Sequence, residues 1–140
     1  MDNNTAATNT SATQALLSRL IALAYADQNI DVRELELIYS IALERGVPKE
    51  SLESIMLRPH LVGSILPATP HERVSHLYDL ARLVVADEVT RPEEKAMLRS
   101  SVLLYEFDEA NADSIVEFLL GHAEQSTSHA EVVQLVQNSI

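Results

Sequence analysis

Four oxygen-bearing side chains crowd one short turn of this 140-residue chain: Asp27, Asn29, Asp31 and Glu34. Carboxylates and carboxamides are hard donors, and alternate spacing along a turn is how calcium loops present them to a divalent cation. The turn is not an EF-hand. Its sixth position, where the sharp bend wants glycine, is Val32, and its twelfth, where a bidentate glutamate closes such a site, is Ile38. A second turn repeats the flanking pair as Asp87 and Glu94, but Arg91 stands where Asp31 stood and puts a cation among the oxygens. For calcium, manganese or magnesium the first turn is therefore the better seat.

The same residues also fit a purely structural role. Asp31 as N-cap with Glu34 three positions on spells a capping box, which satisfies two helix amides and is worth about 1 kcal/mol. In the second turn Thr90 and Glu93 spell the equivalent box. Both readings of the first turn, cation seat and helix cap, stand side by side.

Other chemistry is sparse. His76, one turn after Glu72 and three residues before Asp79, is the nearest approach to a further ligand cluster. A Glu72–His76 pair on a solvated helix face is the plainer reading of it. His122 and His129 flank the break before the last helical stretch, where a helix C-terminus favours a histidine. There is no His-Glu-x-x-His, nucleophile elbow, phosphate loop or dinucleotide fingerprint. Zero cysteines exclude disulfides, thiolate zinc and iron–sulfur sites, and a cysteine nucleophile. No catalytic residue is assigned, and the chain reads as a non-enzyme whose one cofactor reading is a divalent cation.

The elements that must position these residues are helices. Apolar residues recur at three- and four-residue spacing, and alternating β-branched runs are absent. Leu16, Leu20, Leu23 and Ala24 stripe a first helix ending near Asp27. A second starts after Asp31 and stops at Gly46, placed for a left-handed cap. Pro48 opens a third over 49–57, and three prolines mark residues 58–70 as a connector. Thr69 with Glu72 caps a fourth running to Ala86; a fifth starts near Thr90–Pro92 and a sixth after Asp108. Ser128 with Glu131 caps a seventh, whose Val133, Val136 and Ile140 close the bundle or dock on a partner.

Shifting the chain against itself by 60 residues pairs Leu17/Leu77, Leu20/Leu80, Leu23/Leu83, Ala26/Ala86, Asp27/Asp87, Glu34/Glu94, Ser40/Ser100, Leu43/Leu103, Ser54/Ser114 and Ile55/Ile115. Those ten identities fall in 40 ungapped positions, 17–56 against 77–116, where composition alone gives roughly three. The expectation is an all-α protein of about seven helices. Two pseudo-repeated three-helix units and a C-terminal helix would share one core over residues 13–140, behind a flexible polar tail at 1–12.

Lys and Arg number 10 against 21 Asp and Glu, a formal charge of −11. Phosphate neutralisation needs clustered cations, so nucleic acid and anionic membrane surfaces are poor partners, and a basic protein or a cation is a good one. The N-terminal dozen residues lack the basic and apolar regions of a signal peptide, and no apolar run spans a bilayer. A soluble, cytoplasmic protein with no direct membrane insertion is expected.

The stretches LIALAYADQNIDVRELELIYSIA and HLYDLARLVVADEVTRPEEKAML, each with an Asp and a Glu seven positions apart, resemble the tellurite-resistance TerB-like family. The resemblance covers about residues 14–120 and rests on the two acidic turns together with Leu-Tyr-Asp-Leu-Ala-Arg at 77–82. It departs at Gln28 and Glu88, where the family usually has glycine, and at Arg91, which replaces an acid. It implies a duplicated helical domain whose acidic positions are Asp27, Asp31 and Glu34, then Asp87 and Glu94. It also implies a place in stress-response or membrane-associated signalling assemblies, proposed metal-ion sensing, and no established catalysis.

Overall fold

The computed structural model describes residues 3–26, 30–58, 65–86 and 91–139, with side chains described from 11 to 136. Among these residues there are seven α-helices and no strand. They are α1 (Asn3–Ala24), α2 (Val32–Glu44), α3 (Lys49–Leu57), α4 (Pro70–Val84), α5 (Pro92–Leu104), α6 (Glu109–Glu124) and α7 (His129–Ser139). The all-α expectation holds. None of the helices is long and apolar enough to cross a membrane.

Where one shared core was expected, the contacts group the chain into two compact units, Met1–Ala68 and Thr69–Ile140. In the first, α1 packs on α2 and α3, and α2 packs on α3. Leu16, Leu17, Leu20, Ile38, Ile41 and Leu52 are all fully buried. Helix α1 starts at Asn3, so residues 3–12 of the stretch expected as a flexible tail are helical. Ala12 and Ala15, 1% and 2% exposed, carry the buried face of α1 back beyond Leu16. Alanine supports that extension because it has the best helix propensity and loses no side-chain entropy.

In the second unit α4 packs on α5, α6 and α7, and α5 packs on α6. Surrounded in this way, α4 buries Val74, His76 and every residue from Leu77 to Ala81, then Leu83 and Val84. A helix buried on nearly every face differs from the one-striped helices of a surface layer. Helix α7 closes this unit through Val132, fully buried, while Val133 and Val136 of the expected stripe are half-buried. Ile140 lies outside the described residues.

The helix ends follow local chemistry. Asp31 caps α2 with the complete capping box, and Pro48 precedes α3 at its N-cap. The Oγ1 of Thr69 accepts from the Glu72 amide at 3.2 Å ahead of Pro70, Asp108 caps α6, and Ser128 Oγ accepts from the Glu131 amide. Three helices end in the same paired closure, in which two amides beyond the helix reach back to its last turn. Gly46 and Val47 donate to the Leu43 and Ala42 carbonyls at 3.1 and 2.8 Å. Glu106 and Phe107 do the same to Leu103 and Val102, and Ser126 and Thr127 to Ala123 and His122. The motif needs a left-handed residue. Gly46 adopts it at φ 76°, but Glu106 at 70° and Ser126 at 56° do so with a side chain.

Candidate functional site

In the first acidic turn, Asp31 and Glu34 are described and Asp27 and Asn29 lie outside the described residues. The Oδ1 of Asp31 accepts from the Arg33 amide at 2.7 Å and from Arg33 Nε at 3.2 Å, and Oδ2 accepts from Arg33 Nη2 at 3.4 Å. Glu34 Oε1 accepts in turn from the Asp31 amide at 3.4 Å. Both Asp31 oxygens therefore face the start of α2 and its guanidinium. This is the capping arrangement, and a cation at Asp31 has to compete with Arg33 for the same oxygens. Glu34 is only 1% exposed.

In the second turn Asp87 and Thr90 lie outside the described residues. The N-cap of α5 is Arg91, with no side-chain cap bond, and Pro92 follows at N1. That corrects the expected Thr90–Glu93 box. Proline at N1 fixes the helix start one residue later than the box requires, and Glu94 takes the N3 station that Glu34 holds in α2. Glu94 is 2% exposed. The turns thus share a buried glutamate at the head of the following helix. Among the described residues no three His, Cys, Asp or Glu side chains converge as a metal would require.

The densest polar chemistry lies elsewhere, on α4. Asp79, 1% exposed, receives Arg82 Nη1 at 2.8 Å, and its same Oδ1 lies 2.6 Å from Nε2 of His129 at the start of α7. An ionised carboxylate only accepts, so Nε2 carries the proton in that contact. The Tyr78 ring meets the His129 ring edge-on at 5.0 Å, and its hydroxyl reaches the Thr127 carbonyl at 2.5 Å and the His122 carbonyl at 3.1 Å. Burial, followed by the Asp79 charge, pushes the Tyr78 phenol above its ordinary value, against the opposing pull of Arg82. His122 Nδ1 lies 2.9 Å from Thr127 Oγ1, fastening the same α6–α7 turn.

His76 also belongs to this interior. It is 2% exposed, and its Nδ1 lies 3.1 Å from the Tyr105 hydroxyl. The expected solvated Glu72–His76 face is corrected: α4 has no such face at His76, because three helices cover it. Sequence patterning missed the Asp79–His129 pair because the two residues are 50 positions apart. The available signals were Asp79 inside an otherwise apolar run and His129 one residue after a cap.

Chemically, a carboxylate that orients an imidazole is half of an acid–base device. Here it lies between packed helices, and its direct effect is to tie the start of α7 to the buried centre of α4. His129 borders an open groove of about 760 Å³ with His71, Glu72 and Ser75.

Carboxylates outnumber cations along the outer side of α6 and the turn before it. From Glu106 to Glu124 the chain has six carboxylates, Glu106, Asp108, Glu109, Asp113, Glu117 and Glu124, and no Lys or Arg. All six residues are exposed. Arg99 bonds Asp113 at 2.8 Å, which holds the guanidinium above its already high ordinary value. Lys95 pairs with Glu117, and Arg73 with Glu106 at 2.9 Å. Three cations against six carboxylates leave the face acidic, and exposed pairs of this kind are worth little and screened by salt.

Searches against protein-family models, curated proteins and solved structures find no match to this chain.

Proposed function

We propose that this chain is a non-enzymatic interaction module, TerB-like in kind and cytoplasmic, that recruits a basic or membrane-associated protein through an acidic surface. The setting that fits is a stress-response assembly of the tellurite-resistance type, or a membrane-associated signalling assembly. The observation that carries the reading is the run of six exposed carboxylates from Glu106 to Glu124, four of them on α6, with no Lys or Arg among them in sequence. Its geometry suits long-range steering of a cationic partner. Its two units are read as copies of one. Helices α2 and α5 are both 13 residues long and lie 60 positions apart, and Leu17/Leu77, Leu20/Leu80, Glu34/Glu94 and Ile38/Leu98 are buried in both.

Affinity capture from the source cell, at low and then moderate salt, tests this reading. A parallel capture uses a variant with Glu109, Asp113 and Glu117 changed to Lys. A partner retained by the native chain at low salt and lost on charge reversal is the expected result. Capture that ignores both salt and charge reversal overturns it.

A second reading is a divalent-cation sensor at the first turn, with Asp27, Asn29, Asp31 and Glu34 as ligands and, more weakly, Asp87 and Glu94 in the second. What favours it is the burial of Glu34 and Glu94 at the same station of α2 and α5, beside the two acidic turns. Calcium, manganese or magnesium at a hundredfold over the dissociation constant should stabilise the fold by about 2.7 kcal/mol. No shift in the melting temperature, or the same shift in Glu34→Gln, removes the reading.

A further inference from the structure

We propose that the groove beside the acidic face of α6 seats one kind of partner, a basic amphipathic helix, with its apolar stripe in the groove and its Lys and Arg residues on the acidic rim. The inference deepens the interaction-module reading and rests on it. The groove encloses about 620 Å³ within the second unit. Its floor is apolar and fixed: Leu77 is fully buried and Leu119 is 1% exposed. Its walls are Phe107, Ile115, Phe118 and Val136, which are half-buried and so present carbon to solvent. Ile115 and Phe118 are three apart on α6 and share a face, and Phe118 is braced by the His122 ring at 4.6 Å.

The rim decides the occupant. Glu106, paired with Arg73, and Asp108 edge the groove and are exposed, and four further exposed carboxylates, two of them paired with Lys95 and Arg99, continue along α6. A second copy of this chain brings its own charge of −11 to that rim and is repelled. An acidic or neutral helix gains the apolar contact without the charge. A helix with apolar residues at i, i+3/i+4 and i+7 and Lys or Arg elsewhere satisfies both halves, as in helix-in-groove recognition.

The test uses a designed, fluorescein-labelled peptide of Leu and Lys in that pattern, read by fluorescence anisotropy against the full chain. Two controls accompany it: the same composition scrambled to destroy the stripe, and the same stripe with Glu in place of Lys. Two groove variants, Ile115→Ser and Phe118→Ala, are first shown by circular dichroism to be folded. The expected result is saturable binding of the striped Lys peptide, about tenfold weaker in each folded variant and weakened by salt. Equal binding of the scrambled peptide overturns the groove while leaving the acidic-surface reading intact. No binding of either Lys peptide at low salt fails both readings. Equal binding of the Glu peptide overturns the basic partner. Binding unchanged in both variants places the peptide elsewhere and overturns the site. Dimerisation in sedimentation that Ile115→Ser abolishes assigns the groove to a second copy. An apolar dye that Phe118→Ala releases but the peptide does not displace assigns it to a small ligand.

Discussion

His129 Nε2 lies 2.6 Å from Asp79 Oδ1, joining the first residue of α7 to the buried middle of α4. The same Oδ1 accepts from Arg82 Nη1 at 2.8 Å, so one buried carboxylate holds both side chains. Asp79→Ala leaves Arg82 and His129 facing an emptied site and is expected to cost about 3 kcal/mol, the low end for a broken buried pair because both partners reach solvent. His129→Ala leaves the Asp79–Arg82 bond in place and should cost about 1 kcal/mol. Urea unfolding of both single variants and the double variant measures the coupling, expected to be non-additive.

Tyr78 predicts an alkaline limit. Its folded-state value lies above the ordinary 10.0, chiefly through burial, so above that pH the folded chain binds more protons than the unfolded one. Stability from this group is therefore complete below about pH 10 and falls as the pH rises further. Melting temperature followed across that range, alongside tyrosinate absorbance, should fall in the native chain and stay flatter in Tyr78→Phe. That variant also leaves the Thr127 carbonyl without its hydroxyl donor, at about 1–2 kcal/mol in neutral solution.

Ser126→Gly should stabilise the chain by about 1 kcal/mol, because serine holds φ 56° at a position where only glycine sits without cost. Gly46→Ala should destabilise by a similar amount. A Cβ there meets nothing within 4 Å, so the whole effect is backbone conformation at φ 76°. Differential scanning calorimetry should show melting shifts of about 3 °C in opposite directions.

Asp31 separates its two roles by charge. Asparagine caps a helix about as well as aspartate, so Asp31→Asn should hold stability within a few tenths of a kcal/mol while Asp31→Ala loses about 1 kcal/mol. If the turn binds a cation, the melting shift that cation produces should shrink in Asp31→Asn as well as in Asp31→Ala. Thermal scans with and without calcium read both quantities at once.

Helix boundaries were legible wherever a local signal wrote them. Asp31 and Glu34, Pro48, Asp108 and Gly46 act at one helix end each, and their side-chain chemistry is complete within a few residues of sequence. Glu106 and Ser126 close helices with no such signal, since neither residue type favours the left-handed φ it adopts. The exposed face assigned to His76 failed because burial depends on tertiary neighbours. A three- and four-residue period shows which residues share a face but not how many neighbours a helix has, and α4 has three. The pair Asp79–His129 was invisible because side chains 50 positions apart meet only through α4–α7 packing. Of the six residues expected to hold a cation, Asp31 is committed to capping, Glu34 and Glu94 are buried, and Asp27, Asn29 and Asp87 fall outside the described residues.

A helix enclosed by three others has nowhere to drift. Across α4, from Val74 to Val84, nearly every position answers to a neighbour, so substitutions there should be rejected almost regardless of chemistry. On α6 the outward positions Glu109, Asp113 and Glu117 can change without disturbing what lies beneath them. The second unit should thus tolerate change at two very different levels: little along its central strut, and much on its outer surface.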